Sequence, residues 1–289
     1  MAWTNREFDS PWVHQKMIYH KVRASRLQWR INRRQDYVYN KLYLYHYYFL
    51  IMPPQIFPYI VNQKIQLTHD VVGLNLVPQK GQIFDFKPGQ FVMLVIYNKQ
   101  GKVWHQQAFS ICSSPSNKDY LQLAVKVYGK FSQKAGSLKK GDQVGISGPY
   151  GVFTFETKEM KEVIFLAGGI GITPFISAIR YAENKNLENK LTLFYSNKTK
   201  EDIAFSDELK ILAQNIKNFK VNFLLTQKAP EQWDGEKCRI DQEILKNYCL
   251  PFKGKYFFLC GPLGFIETID TYLRKLGVSQ NYIKVEKWY

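Results

Sequence analysis

Cysteine is scarce in this chain of 289 residues. The four present, Cys112, Cys238, Cys249 and Cys260, are widely separated, and no two stand at C-x-x-C spacing. Together with only five scattered histidines, this gives no sequence support for a zinc site or an iron–sulfur cluster. Sparse, unpaired cysteines also exclude a secreted disulfide framework and suit a reducing, cytoplasmic setting. Long apolar runs are missing too. The stretch Leu42 to Met52 is aromatic and apolar, but falls far short of the roughly 20 residues that span a bilayer. It has no small-residue cleavage site of a signal peptide. Acidic residues are few: 24 Asp and Glu face 40 Lys and Arg, for a net charge of +16. A basic body of this kind suits an anionic cofactor, an acidic partner or an anionic surface. Solubility alone is the plainer explanation of the same charge. Nucleic acid is not an expected partner.

Glycine is absent from residues 1–56, a segment rich in Tyr, Arg and Trp. Three readings of it stand: a membrane-surface amphipathic helix giving peripheral contact, the remnant of a membrane domain, or a poorly ordered leader. The leader is preferred, because Met52 is followed by Pro-Pro and then by strand patterning. Residues 57–157 carry six short strand-like runs: Ile65–Thr68, Val71–Val77, Gln90–Ile96, Ala108–Cys112, Leu121–Val127 and Gln143–Ser147. Turn signals such as Pro88-Gly89 and Lys140-Gly141-Asp142 divide them. That pattern predicts a six-stranded antiparallel Greek-key barrel. From residue 158 to 289 strands and helices alternate, which predicts a Rossmann-like domain on a parallel sheet.

The run Val163 to Phe175 reads V-I-F-L-A-G-G-I-G-I-T-P-F. A buried strand stops at glycines, and a helix follows at Pro174. Such a turn brings backbone close to a ligand and offers helix N–H groups to phosphate. It is equally a plain strand-to-helix turn. Its neighbours decide between the two. Phe86 to Val92 (F-K-P-G-Q-F-V) precedes Gln107 to Pro115 (Q-A-F-S-I-C-S-S-P). Then come V-K-V-Y-G-K-F-S from Val125 and G-P-Y-G-V-F from Gly148. After the glycine turn stands F-L-C-G-P-L-G-F, Phe258 to Phe265, and the chain ends V-E-K-W-Y.

In this order and spacing, the motifs resemble the ferredoxin–NADP reductase superfamily from about Ile65 to Tyr289. The resemblance implies a flavin-binding barrel followed by a nicotinamide-nucleotide domain, with FAD preferred to FMN as cofactor, FMN left open by Gln107, and NAD(P)H as co-substrate. It places Phe109 against the flavin ring and Ser110 near the nitrogen that accepts hydride. Val125, Lys126, Gly129, Phe131 and Ser132 belong to the segment that wraps the flavin diphosphate, where successive backbone amides make an anion nest. Gly168, Gly169, Gly171, Thr173 and Pro174 match the dinucleotide turn. Cys260, Gly261 and Pro262 match the element beside the reactive nicotinamide carbon. Trp288, or its rival Tyr289, matches the terminal aromatic that covers the flavin. Ser110, Cys260 and Trp288 are the expected catalytic positions. Each has a plainer reading as core, strand end or terminal packing.

One position departs from the family. Gln107 stands where an arginine usually pairs with the flavin phosphates, and no arginine occurs between Phe57 and Lys161. A guanidinium grips diphosphate bidentately, whereas glutamine offers one neutral amide. Lys126 and Lys130 are the candidates to replace the charge. Nucleotide choice stays open. Ser196 and Lys198 suit a 2′-phosphate, while Ala229 to Gly235 resembles loops of NADH-using relatives. The reading that follows is an NAD(P)H-dependent flavin oxidoreductase. It passes electrons to a separate acceptor such as a ferredoxin or flavodoxin. Two alternatives are the cytoplasmic module of a ferric-reductase or NADPH-oxidase-like system and a non-catalytic nucleotide-binding regulatory subunit.

Overall fold

The structure, a computed structural model, describes residues 55–287. The expected leader therefore lies almost wholly outside the described residues, as do Trp288 and Tyr289. Six antiparallel strands come first: β1 (Phe57–Gln66), β2 (Val71–Pro78), β3 (Phe91–Tyr97), β4 (Val103–Ser110), β5 (Leu121–Lys126) and β6 (Gln143–Tyr150). Their order in the sheet is β4-β3-β6-β1-β2-β5. The two outermost strands meet just past the end of β4, where Ile111 bridges Leu123 of β5 and the Cys112 N–H donates to the Gln122 carbonyl at 2.8 Å. The sheet thus closes around a core of Val61, Leu74, Leu94, Leu123, Val125 and Ile146, all wholly buried.

Two strands differ from the sequence expectation. β1 begins at Phe57, eight residues before the expected start at Ile65, and β4 begins at Val103 and stops at Ser110. Both contain a run of polar residues, Asn62 to Lys64 in β1 and His105 to Gln107 in β4. The apolar opening of β1, Phe57 to Val61, is interrupted by Pro58, which argues against a strand there, and in β4 the polar run precedes the short apolar end Ala108-Phe109. A short helix, α1 (Lys130–Gly136), follows β5, in the segment expected to wrap the flavin diphosphate.

The second sheet has five parallel strands: β7 (Glu162–Gly168), β8 (Lys190–Asn197), β9 (Phe219–Leu225), β10 (Lys255–Gly261) and β11 (Ile283–Lys287), in the order β11-β10-β7-β8-β9. Around it lie α2 (Thr173–Asn184), α3 (Ser206–Asn215), α4 (Gln242–Cys249) and α5 (Leu263–Lys275). β7, β8 and β10 read as nearly continuous hydrophobic runs because both their faces are covered. On one face Phe165, Phe175 and Phe258 pack together, with Phe165 and Phe175 stacked at 4.8 Å between centroids. On the other, Ile164, Leu166, Leu259 and Leu273 form a second cluster.

Candidate active site

Strand order in the parallel sheet reverses between β7 and β10. Crossovers run outward from β7 to β8 and β9 on one side, and from β10 to β11 on the other. At such a reversal the connections leave the strand ends in opposite directions and open a crevice. Here the crevice lies between Gly168, ending β7, and Gly261, ending β10. A short 3-10 turn, Gly169–Ile172, then leads into α2, with Pro174 in its first turn. Gly169 has φ of +53°, and a Cβ there would meet nothing within 4 Å. Gly171 has the opposite constraint. A Cβ there would lie 2.5 Å from the Cys260 carbonyl carbon and 2.7 Å from the Gly261 nitrogen. One glycine presents bare backbone to the crevice and the other lets the turn touch β10. The Thr173 hydroxyl is 5% exposed and donates to the Ile170 carbonyl at 3.1 Å, bracing the turn.

The crevice widens into a cleft of about 940 Å³. Gly168 to Gly171, Gly261 and Pro262 form its floor, Ser196, Asn197 and Lys198 one wall, and Val71 and Lys126 of the barrel another. Asn197 is 5% exposed, and neither its amide nitrogen nor its amide oxygen has a hydrogen-bond partner. A buried amide left so costs about 1–3 kcal/mol; this one lies beside the similarly buried Tyr195 hydroxyl, in a residue that lines the cleft. Ser196 is buried and Lys198 exposed. Sequence reading missed Asn197, Arg239, His69 and Asp202, which also line the cleft. The T-K-E-D run after β8 was a signal for Asp202, whose carboxylate caps Thr199 at 2.9 Å. Arg239 and His69 had none, because they arrive from other loops.

The flavin-side motifs sit on the barrel's outer end. Phe109 is half-buried against the barrel core. Its ring stacks on Phe131 at 6.0 Å, and Trp104 stacks on Phe131 as well, at 6.1 Å and nearly parallel. Ser110 is buried where β4 pairs Phe91. Gln107 is half-buried on the same strand, and Val125 is wholly buried in the barrel core. Ser132 is committed locally: its hydroxyl accepts from the N–H groups of Tyr128 and Gly129 at 3.0 and 2.9 Å and donates to the Gly129 carbonyl. The first backbone bond across this loop runs from Gln133 to Gly129, which leaves the N–H groups of Lys130, Phe131 and Ser132 ahead of it for an anion. Lys126 is committed as well. Its ammonium lies 2.7 Å from Asp70. Burial would raise the Asp70 carboxyl, but the hydrogen bonds from Lys126 and Thr68 outweigh it and hold it below its usual range. Of the two lysines expected to replace the arginine charge, only the exposed Lys130 makes no ion pair among the described residues.

At the far end of β10, Cys260 is wholly buried, while Gly261 and Pro262 reach the cleft. Glu286 on β11 stands beside Cys260 in the parallel register. Burial pushes its carboxyl up to about 7. The sequence carried it only as part of the terminal E-K-W, and it was not singled out as a site residue. Among the described residues no cluster of His, Cys, Asp and Glu could hold a metal ion, and no helix is long and apolar enough to cross a membrane.

The arrangement fits a dinucleotide. It has an open glycine turn and a buried amide, that of Asn197, in a residue lining the cleft. Comparison with known proteins agrees. Residues 58–155 match the family described as oxidoreductase FAD-binding domain, and residues 165–271 the oxidoreductase NAD-binding domain. The gamma subunit of sulfhydrogenase 2 from Pyrococcus furiosus is 30% identical over 210 residues, covering 69% of this chain and 71% of that protein. The reductase component of propane 2-monooxygenase from Mycolicibacterium goodii is 30% identical over 223 residues, or 75% of this chain. The chain spans 63% of that relative's length. Among solved structures, the flavohem-like FAD/NAD-binding domain of nitric oxide dioxygenase from Vibrio cholerae superposes with a TM-score of 0.72 at 22% identity, over 80% of this chain and 98% of that one.

Proposed function

Because the chain belongs to the oxidoreductases that join an FAD-binding to an NAD-binding domain, the ferredoxin–NADP reductase superfamily, we propose that it is the reductase of a two-protein electron-transfer system. NAD(P)H would be the donor and a separate protein the acceptor, in the cytoplasm. Residues 57–157 form the flavin unit in this reading and residues 158–289 the nucleotide unit. The observation that carries it is the crevice at the strand reversal, with the glycine turn on one side, Gly261 and Pro262 on the other, and the barrel as its outer wall.

Bound FAD supplies the redox chemistry, taking a hydride's two electrons and returning them singly. The protein's own residues position and enclose. The turn Gly168–Gly171 admits the dinucleotide backbone, and Asn197 satisfies its amide on the ribose. Lys198 and Arg239 are the cations near enough to the same wall to receive a 2′-phosphate. Phe109 carries the flavin ring on the barrel, and Lys130 with the adjoining N–H groups holds its diphosphate. Gln107 contributes a neutral contact there. The buried Cys260 fixes the end of β10, and Glu286 holds a proton beside it. The propane 2-monooxygenase reductase component is named as part of a monooxygenase, so a monooxygenase component joins ferredoxin and flavodoxin among the acceptors to try.

The test is direct. Purified protein should carry flavin absorbance, and anaerobic NADH or NADPH should bleach it. A panel of ferredoxins, flavodoxins and oxygenase components then identifies the acceptor. Protein that is colourless and cannot be reconstituted with FAD or FMN would refute the enzyme reading.

A further inference from the structure

Arg180 lies on α2, two turns beyond the glycine turn, with 15% of its side chain exposed. Every part of its guanidinium is engaged. Nε and Nη2 grip the two carboxylate oxygens of Glu208 on α3 at 2.5 and 2.7 Å. Nη1 crosses to the barrel and donates to the Cys112 carbonyl at 2.8 Å and to the Gln122 side-chain oxygen at 2.7 Å. The plane rests over Phe205 at 5.3 Å from the ring centre. One turn earlier on α2, the Ser177 hydroxyl donates to the Ser113 carbonyl at 2.8 Å. The contact continues inward. Gln122 donates to Asn75 at 2.7 Å, and Asn75 to Gln63 at 3.0 Å, so the guanidinium anchors in a polar chain spanning β5, β2 and β1.

The two segments so joined are the ones whose alignment matters. Cys112 and Ser113 stand just past Phe109 and Ser110 on the barrel, with Ile111 between. Arg180 and Ser177 sit on the helix whose first turn is Thr173 and Pro174. We propose that Arg180 is a positioning residue that sets the flavin-bearing strand against the dinucleotide turn. It lines no part of the dinucleotide cleft. A planar fork is needed because two directions must be satisfied at once: a carboxylate on one domain and two oxygens on the other. A lysine ammonium, with a single centre, cannot span them. The proposal rests on the reductase reading for its kinetic consequence, though not for its structural one.

Two variants test it. Arg180→Lys keeps the charge for Glu208 but gives up the fork. Gln122→Met removes one barrel-side acceptor and leaves the Arg180–Glu208 pair intact. Both should retain the parent's flavin content and bind NAD+ within about twofold. First-order flavin reduction at saturating reduced nicotinamide should fall about 10- to 100-fold in Arg180→Lys, and less in Gln122→Met, because small departures from attack geometry are costly. Hydrogen exchange should rise at residues 110–114 and 173–180, with the rest of each domain protected as before. Equal loss of flavin, nucleotide affinity and rate would mark Arg180 as merely structural and overturn the proposal. So would an unchanged rate with unchanged exchange. If exchange rises at those two segments but the parent itself neither holds flavin nor oxidises NAD(P)H, the domain clasp stands and the reductase reading is what fails.

Discussion

Gly171→Ala should break the site while sparing the barrel. The added methyl would lie 2.5 Å from the Cys260 carbonyl carbon and 2.7 Å from the Gly261 nitrogen, and closer still to the Cys260 oxygen. These are backbone atoms in a central strand, tied to β7 and β11 on either side. No side chain can rotate away to make room. The turn and the strand end must part by about 1 Å, and forced overpacking of this kind costs about 1–3 kcal/mol. For a unit of this size that lowers Tm by about 2–12 °C. The same displacement opens the crevice between the dinucleotide turn and Pro262, and a misplacement of about 1 Å costs about 100-fold in rate. The assay has three parts: flavin absorbance per protein, thermal melting, and rapid-mixing flavin reduction by NADH and NADPH. Flavin content should match the parent, with reduction slowed about 100-fold. Gly264→Ala is the control. A Cβ there meets nothing within 4 Å, and it replaces a helical glycine, so stability should hold or rise by up to about 1 kcal/mol. A Gly171→Ala protein that melts and reduces like the parent would refute the claim that close approach of the turn to β10 builds the site.

Other consequences follow from the same geometry. Asn197→Leu should raise or preserve the Tm of ligand-free protein, because it removes a buried amide without partners, and should weaken NAD+ binding in a titration by about 1–3 kcal/mol. Glu286 ionises near 4.5 when unfolded and near 7 when folded. The folded state therefore holds the extra proton between those values, and stability declines as pH rises from about 4.5 to about 7, then levels off. Glu286→Gln should flatten that slope in melts recorded against pH. Gln107→Arg should tighten flavin binding by about 1.5–3 kcal/mol, measured by equilibrium release of the cofactor, if the glutamine stands at the phosphate. An unchanged affinity would leave Lys130 and its neighbouring N–H groups as the whole phosphate grip.

Much of this was legible in the chain. The βα alternation located every strand of the parallel sheet within a few residues: the central β7, β8 and β10, buried on both faces, as apolar runs, and the edge strands β9 and β11 by their alternating apolar residues. The glycine turn and C-G-P element were readable because local backbone demands fix them. The barrel was harder. Pro58 and the polar residues after Val61 hid the start of β1, the polar residues His105 to Gln107 hid that of β4, and α1 was too short to show a period. Lys126 looked available because Asp70, its partner, lies 56 positions earlier. Asn197 looked like one more polar residue after a strand, since nothing in sequence tells a buried amide from an exposed one. Arg180 was invisible for the same reason. Its four partners are spread over Cys112, Gln122, Phe205 and Glu208.

The barrel's two end strands have a consequence for how the protein is made. β4 and β5 are the first and last strands of the sheet, and they meet through few contacts: the Ile111–Leu123 bridge, the Cys112–Gln122 bond, the Gln122 N–H on the Ser113 hydroxyl, and Arg180 between Cys112 and Gln122, with Phe131 laid across Phe109 and Trp104 nearby. That is a zipper with few teeth. The residues expected to hold flavin, on β4 and just after β5, lie on the two sides of it. A ligand gripped by both sides acts as the buckle, and at 100 times its dissociation constant would add about 2.7 kcal/mol to the closed form. Protein synthesised faster than its cofactor is supplied would then open along this line first, presenting two unpaired strand edges to proteases and to other copies of itself.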